Sequence, residues 1–317
     1  MKGLLLGLLV SVITTAALLA IVDFGEVRAV FDRMRPLYAG AYFATAVLIA
    51  IVFAYRWRVL MDGKLSHRAA GAVAMISMGG NMLLPARGGD LLRVHVSQSE
   101  AQLPVAVVLS RLVLEKVMDL GAVALVGACA ALWLSNRGMS ASTVVIAASG
   151  SLFLCTVLFV VAVKRYAAYL HRFVRFAFSL VGRGARLERH IERLLQDLGE
   201  NVRGLVFTWP IALTLLMWGV IYSGCYMSAA HFVGVPLSYP EAMLVLAAGG
   251  LGLMIPAAPS GVGTFHASVI SAFVYMDRTI ADGFAVATAI HLLLLVSFAP
   301  PAAFLYARWI HDRRAQN

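Results

Sequence analysis

Apolar positions in this chain fall in blocks longer than a globular core requires. Runs at 3–22, 37–55, 106–134, 143–163, 208–231 and 284–307 carry few charges. Each is close to or above the roughly 20 residues that cross a bilayer, and together they predict six spanning helices. Two further apolar segments, 69–104 and 241–276, are interrupted. The first reads Gly79-Gly80-Asn81-Met82-Leu83-Leu84-Pro85-Ala86-Arg87-Gly88-Gly89-Asp90. The second reads Gly249-Gly250-Leu251-Gly252-Leu253-Met254-Ile255-Pro256-Ala257-Ala258-Pro259-Ser260-Gly261-Val262-Gly263. Pro85 and Pro256 stand 171 residues apart in a chain of 317, one in each half. Broken hydrophobic segments at matching places of two halves point to a transporter's substrate site.

Composition agrees with the pattern. Hydrophobic residues make up 61% of the chain and charged residues 13%, against about 25% charged in a soluble domain. The fold class is therefore an all-α polytopic membrane protein. The longest polar stretch, Lys164 to Arg203, is too short for a core of its own, so residues 1–317 read as one membrane domain. Lys2 and the apolar run after it read as a retained helix, because no small-residue cleavage site precedes Asp23. Cys129, Cys155 and Cys225 lack CxxC spacing and are expected to be small buried hydrophobes, with no metal or redox role.

The net charge of +10 is unevenly placed. Segment 56–68 carries Arg56, Arg58, Lys64 and Arg68 against Asp62, and segment 164–203 carries nine basic residues against four acidic ones. The tail adds Arg308, Arg313 and Arg314, whereas the connections 23–36, 135–142, 232–240 and 277–283 sum to about zero. By the positive-inside rule the basic segments face the cytoplasm, with both termini, as expected in a bacterial-type inner membrane. The basic excess marks topology and excludes a nucleic-acid surface, since no aromatics interleave with it. With sides assigned, 69–104 must leave and rejoin the inner side, and 241–276 the outer side. Both become re-entrant hairpins, and the halves 1–138 and 139–317 form an inverted-topology repeat. The plain alternative is that the Gly-Pro stretches kink ordinary spanning helices. Segment 164–206 alternates arginines with apolar residues at helical spacing and is expected to lie along the inner surface against anionic lipid.

Candidate chemistry gathers at the breaks. Around Pro85, with Gly80, Gly88 and Gly89, exposed backbone amides and the guanidinium groups of Arg87 and Arg93 suit an anionic headgroup, with Asn81 and Asp90 beside them. Pairing of Arg87, Asp90 and Arg93 with one another is the structural alternative. Arg111, Glu115 and Asp119 recur every four residues on one helix face. They read either as the polar wall of a path, with Glu115 or Asp119 protonatable, or as an Arg111–Glu115 structural pair. Lys116 points elsewhere and is expected either to snorkel or to find a partner on another helix. In the second break Pro256, Pro259, Gly261 and Gly263 form a hinge, Ser260 and Thr264 offer polar contacts, and His266 and His291 are either titratable path residues or packing histidines. No HExxH, GxSxG, Walker loop or metal-spaced cluster is present, so no catalytic residue, metal or cofactor is assigned.

Those same residues carry a resemblance. Asn81 through Arg93, the Arg111 to Asp119 helix, and Ile255 through Thr264 together resemble the lysylphosphatidylglycerol synthase transmembrane (flippase-like) family over nearly the whole chain. The resemblance implies movement of lipids between leaflets, and related members are linked to aminoacylated phospholipids, polyprenyl-linked sugars or hopanoid pathways. The chain has Gly89-Asp90 where the family commonly has Gly-Glu, and Thr264-Phe265-His266 where it often has a glutamate. Aminoacyl-transferring members add a large soluble domain; ending soon after its last helix, this chain is expected to lack that catalysis. The expectation is a lipid flippase or transporter of an anionic lipid or lipid-linked intermediate, with membrane lipids as partners. Alongside stand an integral-membrane enzyme on a lipid-linked substrate and a scaffold of a lipid-synthesis complex, with a second copy or a lipid-biosynthetic enzyme as further partners.

Overall fold

Long apolar runs with no paired glycine and proline leave helical hydrogen bonding uninterrupted, and the chain folds accordingly. The structure, a computed structural model, describes residues 32–136, 146–162, 208–254 and 259–315, with isolated positions 25, 28, 29, 165, 192, 193, 196 and 197. Among these residues there are nine helices and no strand. In chain order they are α1 (Leu37–Leu60), α2 (His67–Leu83), α3 (Gly88–Ala101), α4 (Val105–Ser135) and α5 (Ile146–Ala162). They continue with α6 (Thr208–Phe232), α7 (Tyr239–Gly252), α8 (Thr264–Tyr275) and α9 (Ile280–Arg314). The expected helix 3–22, Pro256 and nearly all of segment 164–206 lie outside the described residues.

Four helices, α1, α4, α6 and α9, are long and apolar enough to cross a membrane, and they coincide with four of the six expected spans. The fifth, α5, is a shorter apolar helix. Helix α9 begins four residues before its expected start and runs on to Arg314 through Pro300 and Pro301. At 35 residues it extends roughly 52 Å, well beyond a ~30 Å hydrocarbon core. The tail expected to leave the helix is therefore its last turns, where His311, Arg313 and Arg314 complement the negative helix end.

Both broken segments reverse the chain. Gly80 and Gly89 are only nine residues apart, yet a Cβ on Gly80 would lie 2.7 Å from the Gly89 Cα. In a kinked but continuous helix these positions would be about 13 Å apart. The same holds for α7 and α8, where a Cβ on Gly249 would meet the Phe265 ring at 2.7 Å. The kinked-helix alternative is thus excluded, and each break joins an antiparallel helical pair. The glycines do different work at the two turns. In the first, the left-handed residue is Arg87 (φ 57°), while Gly88 is ordinarily helical; Gly80 and Gly89 are there for close contact. In the second, Ser260, Gly261 and Gly263 take positive φ themselves.

Each hairpin leans on the long helix of the opposite half. Helix α2 packs on α9, and α7 packs on α4. Gly79 brings α2 so close to α9 that a Cβ there would sit 2.2 Å from the Phe298 carbonyl oxygen. The hairpin turns meet, and the Ser260 hydroxyl donates to the Met82 carbonyl at 2.9 Å. The start of helix α7 is capped by Ser238 and Glu241: Glu241 accepts from the Ser238 amide and hydroxyl and pairs with Arg278 at 2.7 Å.

Two expectations need correction. Of the three cysteines only Cys225 is buried; Cys129 and Cys155 face outward from apolar helices, where a bilayer would be as apolar as a core. Arg56, counted with the basic flank, is fully buried. It continues the α1 stripe of Tyr42, Ala46, Ile49 and Phe53 that faces inward. Arg58, Lys64 and Arg68 against Asp62 keep the flank's sign unchanged.

Close packing at Gly89 gives a stability test. A Cβ there would lie 2.1 Å from Ser77 O and 2.3 Å from Asn81 N, so Gly89→Ala should lower the melting temperature of detergent-solubilised protein by several degrees, as overpacking costs about 1–3 kcal/mol. Gly71→Ala, with nothing within 4 Å of its added methyl, should leave it unchanged or slightly raised.

Candidate functional site

The hairpin turns and four helices enclose a charged cluster inside an apolar shell. Its centre is Glu115 of α4. The Arg93 guanidinium from α3 grips both carboxylate oxygens, at 2.8 and 3.0 Å, and Arg56 approaches at 3.5 Å from α1. All three side chains are 0% exposed. The fork of arginine matches a carboxylate in both spacing and plane, the strongest neutralising geometry available in a dry site. Arg93 also lies over the rings of Trp57 (4.3 Å) and Phe53 (5.0 Å), which add cation–π attraction.

One helical turn along α4, Asp119 accepts from Arg56 at 2.6 Å and from the Trp218 indole at 2.9 Å. Trp218 sits in a widened π turn of α6, Met217–Tyr222, a local rewinding that often marks functional positions. Thr214, one turn earlier, accepts from Arg56 at 2.8 Å. On the other side, Asp90 at the start of α3 receives Ser77 (3.1 Å), Asn81 (3.3 Å) and Arg93 (3.3 Å). Lys116 at 3.2 Å and Arg87 at 3.4 Å complete its surroundings. The Asn81 side-chain oxygen accepts the Asp90 amide in return, which fixes the first helical turn after the break.

A cavity of about 160 Å³ opens beside this cluster. Ser77, Asn81, Arg87, Asp90, Lys116, Asp119 and Ser260 supply its polar wall, and Phe53, Trp218, Tyr222, Tyr226 and Phe298 its aromatic one. Arg93 and Glu115 stand behind that wall. Of the four cations only Arg87 (47% exposed) and Lys116 (31%) retain appreciable exposure. They share Asp90, and Lys116 also lies 3.5 Å from Glu115; four basic side chains meet three carboxylates, a formal excess of one positive charge.

The sequence-derived candidates divide among three places. Asn81, Arg87, Asp90, Arg93, Glu115, Asp119 and Ser260 belong to the cluster or its cavity, together with the hinge residue Gly261. Asp90 does pair with both Arg87 and Arg93. Arg111 lies elsewhere: it binds Asp62 (3.0 Å) and Asp197 (2.9 Å) and makes no pair with Glu115. Thr264 is buried and donates to the Gly261 carbonyl, bracing the second turn. His266 and His291 form a separate pair with ring centres 4.9 Å apart. His291 reaches the cluster's neighbourhood by donating from Nε2 to the Ser260 carbonyl at 2.9 Å. Among the described residues no three potential metal ligands gather.

Arg56, Ser77, Thr214 and Trp218 are polar members that sequence reading did not assign. Arg56 had a signal, since it falls where the 3–4 spacing of the inward α1 stripe calls for the next buried residue. Thr214 and Trp218, one turn apart on α6, had none beyond that spacing.

Removing Arg56 should be far more damaging than removing Arg87. Arg56→Leu leaves Asp119 and Glu115 undercompensated in a buried site, a loss of about 3–5 kcal/mol, and should sharply reduce the folded fraction on size exclusion. Arg87→Ala breaks a half-exposed pair worth under about 1 kcal/mol and should keep the wild-type elution and melting profile.

No curated protein matches the chain. The sequence profile of the lysylphosphatidylglycerol synthase TM region matches residues 4–301, a span that takes in both hairpins and the whole charged cluster. The chain therefore belongs to the family defined by that membrane region.

Proposed function

We propose that this protein is a lipid flippase, moving an anionic phospholipid or lipid-linked intermediate between the leaflets of the inner membrane, with both termini in the cytoplasm. The observation that carries the proposal is the excess positive charge beside the cavity. Arg93 and Arg56 are taken up by Glu115 and Asp119, whereas Arg87 and Lys116 face the cavity around Asp90, with Glu115 a second neighbour of Lys116 at 3.5 Å. A phosphate entering there meets two cations that already tolerate a carboxylate at 3.2–3.4 Å. A site that neutralises a headgroup in this way lowers the cost of carrying charge through hydrocarbon.

The architecture supports the same reading. Helices α2, α3, α7 and α8 contain 17, 14, 14 and 12 residues. At 1.5 Å per residue they reach about 18–26 Å, short of the ~30 Å core, so each hairpin is read as re-entrant. Hairpin one packs on the last long helix of the second half, and hairpin two on the last long helix of the first. That exchange is what a twofold axis in the membrane plane produces, and we take 1–138 and 139–317 as inverted repeats. The turns then form the gate, and the His266–His291 pair, tied to Ser260, lines the path on the opposite side from the arginines. A second copy of the chain and a lipid-biosynthetic enzyme remain the partner classes proposed beside lipid itself.

Purified protein in liposomes should move fluorescent phosphatidylglycerol between leaflets without changing its mass. A mass change without movement would instead identify an enzyme, and neither effect would identify a scaffold. Arg87→Ala and Lys116→Gln should each slow movement at least tenfold while the protein stays folded. Wild-type rates in both would remove the cavity from the mechanism.

A further inference from the structure

Away from the central cluster, a groove of about 560 Å³ runs between α1, α2 and α9. Its floor is apolar and thinly covered: Ala50, Ile51 and Ala54 from α1, Met75 from α2, and Leu305 from α9. Ile51 is 58% exposed, and a Cβ on Gly71 in the same wall would touch nothing within 4 Å. The groove is thus open along its length and fits a narrow aliphatic chain. Only one end is polar. There Arg58, His67 and Arg68 gather beside Tyr55, and among the described residues no carboxylate contributes to the lining.

The polar end is short of partners for its charge. Arg58 spends its Nε–H on the Leu65 carbonyl at 3.0 Å, which holds the guanidinium in place with both Nη groups left over. Among the described residues neither Arg58 nor Arg68 has a carboxylate within ion-pair distance. This contrasts with Arg56, two residues from Arg58, which is completely neutralised. From Arg58 to Ala50 along α1 is about 12 Å at 1.5 Å per residue, so charge and aliphatic floor follow one another as headgroup and acyl chain do in a lipid. Tyr55, exposed at the junction, has the amphipathic ring favoured at headgroup depth.

We infer that this groove is a second lipid site, distinct from the central cavity, that holds an anionic glycerophospholipid of the surrounding bilayer. Its phosphodiester lies between Arg58 and Arg68, and one acyl chain lies along α1 and α2 toward Leu305. Basic pockets between membrane helices bind anionic headgroups in this manner, and arginine forks suit phosphate oxygens. The site does not depend on the flippase reading, because none of its residues lines the central cavity.

Native mass spectrometry of protein extracted from bilayers of phosphatidylglycerol and phosphatidylcholine tests the assignment. Wild-type protein should retain phosphatidylglycerol in preference to phosphatidylcholine. The double variant Arg58→Gln with Arg68→Gln should retain at least tenfold less of it, and Arg87→Ala should keep a full complement at this site. Gly71→Leu, which fills the groove without touching the charges, should also displace the lipid while leaving the melting temperature intact. Unchanged retention in both groove variants would overturn the proposal. So would a lowered melting temperature for Gly71→Leu with retention unchanged, which would show that another segment of the chain fills the groove. Loss of leaflet exchange in Arg87→Ala with retention intact would separate the two sites.

Discussion

A carboxylate in an apolar interior keeps its charge only while cations and donors surround it, and Glu115 meets that condition through Arg93 and Arg56. Everything around it follows from this requirement. Arg93 can reach Glu115 only if α3 turns back after the first break, which demands the close Gly80–Gly89 contact. Arg56 can reach only if α1 presents this inward position to α4, which sets the register of those helices. The pair also reaches Asp119 and Asp90, drawing α6 in through Trp218 and Thr214. Isolated buried pairs contribute little net stability, but removing one member is costly. The network therefore acts more as a device for specifying arrangement than as a source of strength.

Much of this was legible in the chain. Apolar length located α1, α4, α6 and α9, and the Gly-Pro punctuation located both reversals, because those signals are local and depend on backbone chemistry alone. The four-residue spacing of Glu115 and Asp119 placed them on a common face correctly. The same spacing misled for Arg111: its partners, Asp62 and Asp197, come from parts of the chain that periodicity cannot bring together. Arg56 was hidden for the opposite reason. A cation near the end of an apolar run reads as a topology flank, and only the stripe from Tyr42 onward distinguishes an inward arginine from Arg58 beside it. Helix α9 ran on past its expected end at 307 because apolar length alone set that bound, while the polar turns from Arg308 to Arg314 contain no helix-breaking residue.

The two hairpins share a shape and differ in chemistry. The first brings Arg87 and Asp90 to the cavity and Arg93 behind its wall, with the left-handed backbone strain on Arg87 itself. Residues held there outside glycine are uncommon, and such strain collects at functional positions. The second brings Ser260 and a histidine pair, and confines positive φ to small residues. Charge is thus held by one hairpin while the other offers a neutral, hydrogen-bonding surface.

The hydrogen bond from Ser260 to the Met82 carbonyl divides the molecule into a hard seam and a soft one. On one side, Arg56, Arg93, Glu115, Asp90 and Asp119 bind α1, α3 and α4 to one another, with Trp218 and Thr214 adding α6, through contacts that cannot be released singly without stranding a charge. On the other, the turns touch among the described residues through the neutral Ser260–Met82 bond, worth about 1 kcal/mol, and through apolar surface. Any separation of the two hairpins must begin along the second seam, because thermal energy can break it and cannot break the first. The charged cluster would then move as one body, carrying Arg87 and Lys116 with it, and the side that opens is the one lined by Ser260, Leu294 and Phe298.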